Sequence, residues 1–163
     1  MFFTFLGMEV NAKNPNIPLP ARLGVQMGIA SQLYSGLMHR LLEPRGLTYG
    51  QFTVLLHLLR RQSPTRLTSI CNAVELNQPA VTKVIQKFQQ LGWITTLPDP
   101  QDQRGRLIEI SAEGHAQAIR IQQSFGPVFE ELMRGWSADE VETLIGGLTV
   151  LCSRLDALKG PSR

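Results

Sequence analysis

LNQPAVTKVIQKFQQLGWITTLPDPQDQRGRLIEIS, residues 76–111, is the stretch on which the reading turns. Val81, Val84, Ile85, Phe88 and Leu91 recur at three- and four-residue steps, the period of an amphipathic helix. Asn77 is a strong N-cap, and Pro79 falls in the first turn, where a missing N–H costs nothing. Leu76 and Val81 take the staple positions around the cap, and Gly92 supplies the left-handed stop. Gln78, Pro79, Thr82, Lys83, Gln86 and Lys87 are left facing outward. WITTL (93–97) and RLIEI (106–110) are rich in β-formers. The connecting PDPQDQRG carries Asp99, Asp102 and Arg104, and Arg106 begins the returning strand. That loop is longer than a tight turn requires, which suits a protruding hairpin.

A helix followed by a basic hairpin is the layout of a winged helix-turn-helix. Glutamine can pair bidentately with adenine, threonine can touch the thymine methyl, and lysine can reach guanine or phosphate. Gln78, Pro79, Thr82 and Lys83 share the first two turns, the end that enters a groove, and Lys87, one turn on, is placed for phosphate. A slender loop bearing Arg104 and Arg106 fits a narrow minor groove. Asp102 is expected to pair with Arg104 and set its direction. The plain alternative is a surface helix with a solvated Gln/Lys face and a solubilising loop.

Upstream, three prolines within NPNIPLP suggest that residues 1–20 form a flexible arm. A helix is expected from Ala21 to about Glu43, stopped by Pro44 and Gly46; it is apolar enough to pack on more than one side. Thr48 caps a helix running to about Arg61, with Phe52, Leu55, Leu56 and Leu59 inward. Thr68 is expected to cap a short helix over 69–74, with Ile70, Cys71 and Val74 inward. Downstream, Ser111 caps a helix running toward Met133, kinked near Gly126-Pro127. Ser137 and Glu140 form a capping box for a last helix. There Val141, Leu144, Ile145, Leu148, Leu151, Cys152, Leu155 and Leu158 make a near-heptad seam that needs a cover, from this chain or another.

Composition sets outer limits. The chain has 163 residues, 43% of them apolar and 18% charged, enough for a packed core. Residues 60–110 carry seven basic against four acidic side chains, and residues 111–163 five against seven, so the middle suits a polyanion. Cys71 and Cys152 form no CxxC, which points to reduced thiols in a cytoplasmic protein. MFFTFLGMEV is too short to span a bilayer and lacks a basic region and cleavage site; Met8 is a second possible start. No membrane partner and no cofactor are implied. GxSxG, HExxH, P-loop and dinucleotide fingerprints are all missing, so an enzyme is not expected. His39, His57 and His115 have no ligand spacing, so no metal site is expected.

The wing segment Asp99-Pro100-x-Asp102-x-Arg104-x-x-Leu107-x-x-Ile110-Ser111-x-x-Gly114 resembles the DPxDxRxxLxxLTxxG pattern of the MarR family of transcriptional regulators. Leu47-Thr48-x-x-Gln51-Phe52-x-Val54-Leu55 and Leu67-Thr68-x-Ile70-Cys71-x-x-Val74-x-Leu76 resemble that family's LTxxQFxVL and LTxLAxxLxL, and the likeness runs over about residues 22–158. The resemblance implies a mainly α fold with a small β-hairpin wing. Residues 47–110 would form the DNA-binding domain, and residues 21–46 with 111–160 a helical dimerisation region. It further implies a homodimer on a pseudo-palindromic site in double-stranded DNA, acting as a repressor. It also implies release by a small aromatic or anionic effector in a cleft; Tyr34, Met38, His39, Tyr49 and His57 are the candidates to line it, with core or hinge packing the plain alternative for each. Cys71 stands where the family commonly has alanine, and no cysteine lies near the start of the first helix, so peroxide sensing of the family's type is not implied. The alternative function is a winged-helix module that binds protein rather than DNA.

Overall fold

The structure, a computed structural model, describes residues 16–61 and 63–158, apart from the side chains of Gln103 and Arg104. It is mainly helical, with one small three-stranded antiparallel sheet. The chain divides into two compact units at Tyr49/Gly50.

The first unit is dominated by α1 (Leu19–Leu42). Pro18 is its N-cap and Pro20 lies in its first turn, so two prolines expected to keep the chain extended instead start the helix. The question of an arm before Asn16 lies outside the described residues. His39 and Arg40 occupy the last turn, where cations meet the negative end of the helix dipole. A 3₁₀ turn, Glu43–Arg45, follows, and Gly46 takes φ +64°, the left-handed conformation that ends it. Met38 and Leu42 are buried, whereas Leu19, Leu23, Val25 and Leu33 are exposed.

The second unit begins with the expected helix-turn-helix. α2 (Tyr49–Arg60) buries Phe52, Val54, Leu55 and Leu58; Leu56 and Leu59 are only half-buried, a stripe rotated slightly from the one read in sequence. β1 (Thr65–Arg66) is a two-residue strand missed in sequence. It runs directly into α3 (Leu67–Val74), so Arg66 takes the N-cap position and Thr68 lies inside the helix rather than capping it. Glu75, at φ +55°, turns the chain toward α4. A non-glycine residue in that conformation costs about 1 kcal/mol.

α4 (Gln78–Gln90) has both caps expected of it. Asn77 Oδ1 accepts from the Ala80 amide at 2.9 Å. At the other end Gly92, φ +70°, donates to Gln89 O at 3.0 Å and Trp93 donates to Phe88 O at 2.8 Å, the two bonds of a Schellman stop. The Phe88 and Trp93 rings meet at 5.3 Å across it. Val81, Val84, Ile85 and Phe88 are buried; Leu91, expected inward, is 46% exposed.

β2 (Ile94–Asp99) and β3 (Asp102–Ile110) form the wing, and the sheet order is β1-β3-β2. Pro98 is tolerated because β2 is an edge strand. The strands run further than expected, so the connection is a two-residue turn, Pro100 and Gln101, rather than a long loop. The extra length is absorbed in β3. Pro98 pairs with Arg106 and Asp99 with Asp102, which leaves Gln103, Arg104 and Gly105 unmatched as a bulge.

α5 (Ala112–Gln123) starts on Ser111 as expected. Ser111 Oγ accepts from the Gly114 amide at 3.0 Å and donates to Gly92 O at 2.6 Å, while the Ser111 amide donates to Trp93 O at 2.9 Å. A Cβ on Gly114 would lie 2.0 Å from Trp93 O, so only glycine fits. The helix expected to run on to Met133 breaks at Ser124 and Phe125, and α6 (Gly126–Leu132) begins anew with Pro127 in its first turn. Phe125 turns inward and meets the Phe52 ring edge-on at 5.5 Å. The Ser137–Glu140 box then opens α7 (Ala138–Leu158), with Glu140 Oε2 accepting from the Ser137 amide at 2.8 Å. No residue of α7 is fully buried; Leu144, Ile145, Leu148, Leu155 and Leu158 are exposed.

Gly114→Ala should cost about 3 kcal/mol, the upper end of overpacking penalties. Urea denaturation checks it. A midpoint like that of the wild type would mean the close approach to Trp93 carries no weight.

Candidate nucleic-acid interface

Four apolar side chains hold α4 inward, so its opposite face is set by default. Gln78, Pro79, Thr82, Lys83 and Gln86 line one shallow surface depression there. Gln78, Pro79, Lys83 and Gln86 are exposed. Thr82 is half-buried, and its Oγ1 donates to Gln78 O at 2.8 Å. A carbonyl can only accept, so the hydroxyl proton is committed. What Thr82 presents outward is a methyl group and an acceptor oxygen, a combination suited to a thymine methyl or a base amino group.

Lys87 stands apart from this group. Its ammonium donates to Gln51 Oε1 on α2 at 3.0 Å, and the side chain is half-buried. The residue read in sequence as a phosphate ligand is therefore tied to the scaffold, and Gln51, noticed only as part of a pattern, is its partner.

In the wing, Arg106 is exposed and pairs in register with Pro98. Arg104 sits in the bulge of β3; its expected pairing with Asp102 falls outside the described side chains. The acid whose ion pair is described is Asp99. Its side chain is only 3% exposed, and Arg66 Nε donates to Oδ2 at 2.6 Å. Arg66 Nη2 also donates to Gln101 Oε1 at 3.1 Å, and the Gln101 amide donates to Asp99 Oδ1 at 2.9 Å. The Arg66 hydrogen bond first, and the Gln101 amide second, hold the Asp99 carboxyl below the usual carboxylate range. Gly105 leaves room for this arrangement, since a Cβ there would lie 3.0 Å from Asp99 Cβ and 3.1 Å from Asp102 Cβ. In sequence Arg66 was one basic residue among seven. Only the pairing of β1 with β3 reveals its role.

Of the five candidate effector residues, the structure brings Tyr34 and Tyr49 together, edge to face at 6.0 Å in the first unit. Burial first, then Tyr49, pushes the Tyr34 hydroxyl above its ordinary value. Met38 is 1% exposed, within the fold's interior, and His39 is exposed. His57, in the second unit, is held below the usual histidine value by burial, then by Arg61 and Arg60. Among the described residues no three His, Cys, Asp or Glu side chains cluster closely enough to hold a metal. Cys71 is half-buried and Cys152 exposed, both as free thiols. No described helix is long and apolar enough to cross a membrane.

A family model described as "MarR family" matches residues 47–105, the helix-turn-helix and most of the wing. The chain is 28% identical over 123 residues to the multiple antibiotic resistance protein MarR of Escherichia coli strain K12, covering 75% of this chain and 85% of that protein. The solved "Multiple Antibiotic Resistance Repressor, MarR" superposes with a TM-score of 0.68 at 28% identity, over 83% of this chain and 95% of that one. Over residues 47–105 the chain is similar to the MarR family, and its fold matches that of solved MarR structures. A mutant E. coli MarR complexed with operator DNA also matches, with a TM-score of 0.64 at 28% identity, over 82% of this chain and 94% of that one. The chain shares the winged-helix fold of these structures, and its winged helix-turn-helix carries the α4 face and the wing described above.

Two outcomes follow from this geometry. Lys83→Ala should change which DNA sequences are preferred. Lys87→Ala should instead lower folding stability by about 1 kcal/mol, the worth of one hydrogen bond, and leave the salt dependence of DNA binding unchanged. A salt slope that falls by about one contact in Lys87→Ala would return that lysine to the phosphates. Asp99 also gives a pH signature. Its native carboxyl is depressed, so the stability it contributes is complete above the ordinary carboxylate value of about 4. That stability is lost as the pH falls below this value and through the lower native one. Following the Asp99 carboxyl carbon by NMR should give a midpoint below that of an exposed aspartate; an ordinary midpoint would contradict the pairing.

Proposed function

We propose that this chain is a member of the MarR family and a cytoplasmic, sequence-specific repressor that binds double-stranded DNA as a homodimer. Each protomer places α4 in a major groove and its wing along the adjacent minor groove of a pseudo-palindromic operator. The observation that carries the reading is the exposed, doubly capped α4 face of Gln78, Pro79, Thr82 and Lys83, with donors and acceptors that match base edges. Arg104 and Arg106 supply the wing contacts, and Asp102 orients Arg104. MarR, named a repressor and solved with operator DNA, supports this reading. The uncovered apolar residues of α7 support the homodimer, because a helix with no buried residue of its own gains most of its stability from a partner. A small aromatic or anionic molecule is the proposed effector, with the Tyr34–Tyr49 pair as its aromatic contact and Met38, His39 and His57 as the other candidate residues.

Selecting bound duplexes from a random pool at physiological salt tests the whole scheme. The expected product holds two inverted half-sites about 10 base pairs apart, or a multiple of that. Arg104→Ala and Arg106→Ala should each weaken binding to it by about 1–3 kcal/mol. A pool that never enriches would favour the protein-interaction reading, and a single unpaired half-site would remove the dimer.

A further inference from the structure

The wing contains an unusual piece of charge arrangement. Asp99 lies at the tip of a hairpin expected to approach phosphates, yet its carboxylate is almost fully buried. The group that meets it comes from neither wing strand. Arg66 lies on β1, and with sheet order β1-β3-β2 its guanidinium reaches across the central strand to the far edge. Gly105, on that central strand, has no side chain to bar the way. One nitrogen of the fork takes Asp99, and a second takes the Gln101 side chain, while the Gln101 amide closes back on Asp99. Three hydrogen bonds thus enclose the two-residue turn.

We propose that Arg66 is a positioning residue for the wing: its guanidinium neutralises the buried Asp99 carboxylate and locks the Pro100–Gln101 tip in the shape that meets DNA. The proposal rests on the DNA-binding reading above. Arg66 immediately precedes α3, so the lock also fixes the wing to the helix-turn-helix itself and not merely to its own strand. A planar fork can hold two acceptors at once, which a lysine ammonium on the same stem does with less direction. Arg66 therefore acts through the wing and not as one more phosphate contact.

The test uses the full chain as wild type, Arg66→Ala, Arg66→Lys, Asp99→Asn and the double variant Arg66→Ala/Asp99→Asn, with a duplex selected by the wild type as the probe. Arg66→Ala should weaken binding about tenfold or more with an unchanged salt slope, and adding Asp99→Asn should restore most of the loss. Exchange of the Gln101 amide in the free protein should quicken in Arg66→Ala. Wild-type affinity in Arg66→Ala would overturn the proposal. So would equal losses with and without Asp99→Asn accompanied by a slope lower by about one phosphate, which would make Arg66 a direct contact. Should Arg66→Ala fail to fold, Arg66→Lys keeps the charge and loses the fork; wild-type Gln101 exchange there would equally sink the lock. A wild type that selects no duplex counts against DNA binding alone, and the Gln101 exchange rates then decide the lock independently.

Discussion

The seam where Ser111 and Gly114 press on the Gly92–Trp93 link is the constraint on which the second unit depends. Four elements meet there: α4 ends, β2 begins, β3 ends and α5 begins. The Trp93 carbonyl accepts from Ser111, the Gly92 carbonyl from the Ser111 hydroxyl, and Gly114 leaves no spare room beside them. Helix-end carbonyls and amides that would otherwise need water are satisfied by each other. The proposed role of α4 needs a fixed orientation, and this joint holds the helix at its C-terminal end, away from the Gln78–Lys83 face. The Phe88–Trp93 contact adds apolar burial to the same corner.

The wing is organised differently, by charge rather than by close packing. A hairpin proposed to meet a polyanion needs net positive character, but its turn uses aspartates for their local hydrogen bonding. The two demands conflict at Asp99. The conflict is resolved by burying the acid under an arginine from a third strand, so the carboxylate serves the turn while its charge is cancelled. The α4 face follows another economy. Thr82 spends its proton on the helix backbone, and Lys87 is held by Gln51, which leaves Gln78 and Lys83 as the freely presented polar groups of the first turns.

Much of this was legible in the residues, and what was hidden shares one physical cause. The caps at Asn77, Ser111 and Ser137, the stop at Gly92 and the inward face of α4 are local, so sequence spacing shows them directly. The family likeness in the wing pointed to the right architecture for the same reason. β1 escaped notice because two residues carry no periodicity; it exists only by pairing with β3. The Arg66–Asp99 bridge spans 33 positions and follows from that pairing alone. The tight wing turn was misread because eight turn-forming residues look like a loop, whereas the bulge at residues 103–105 lets the strands extend into them. Leu91 lies on the apolar stripe by spacing but is the C-cap just past α4, where it is left 46% exposed. Proline told the position of breaks better than their kind: Pro18, Pro20 and Pro127 each mark a helix start.

The bare apolar stripe of α7 bears on how much of this protein a cell can keep. Leu144, Ile145, Leu148, Leu155 and Leu158 meet solvent in a lone chain, and covering them by a second copy is a mass-action event. Folding and association would then share one equilibrium. Chains made slowly enough to stay dilute would spend longer unpaired, open to proteases and to sticking elsewhere. Above the pairing concentration the same chains would persist. The level of the regulator would thus have a physical floor, set by its own hydrophobic surface as well as by its rate of synthesis.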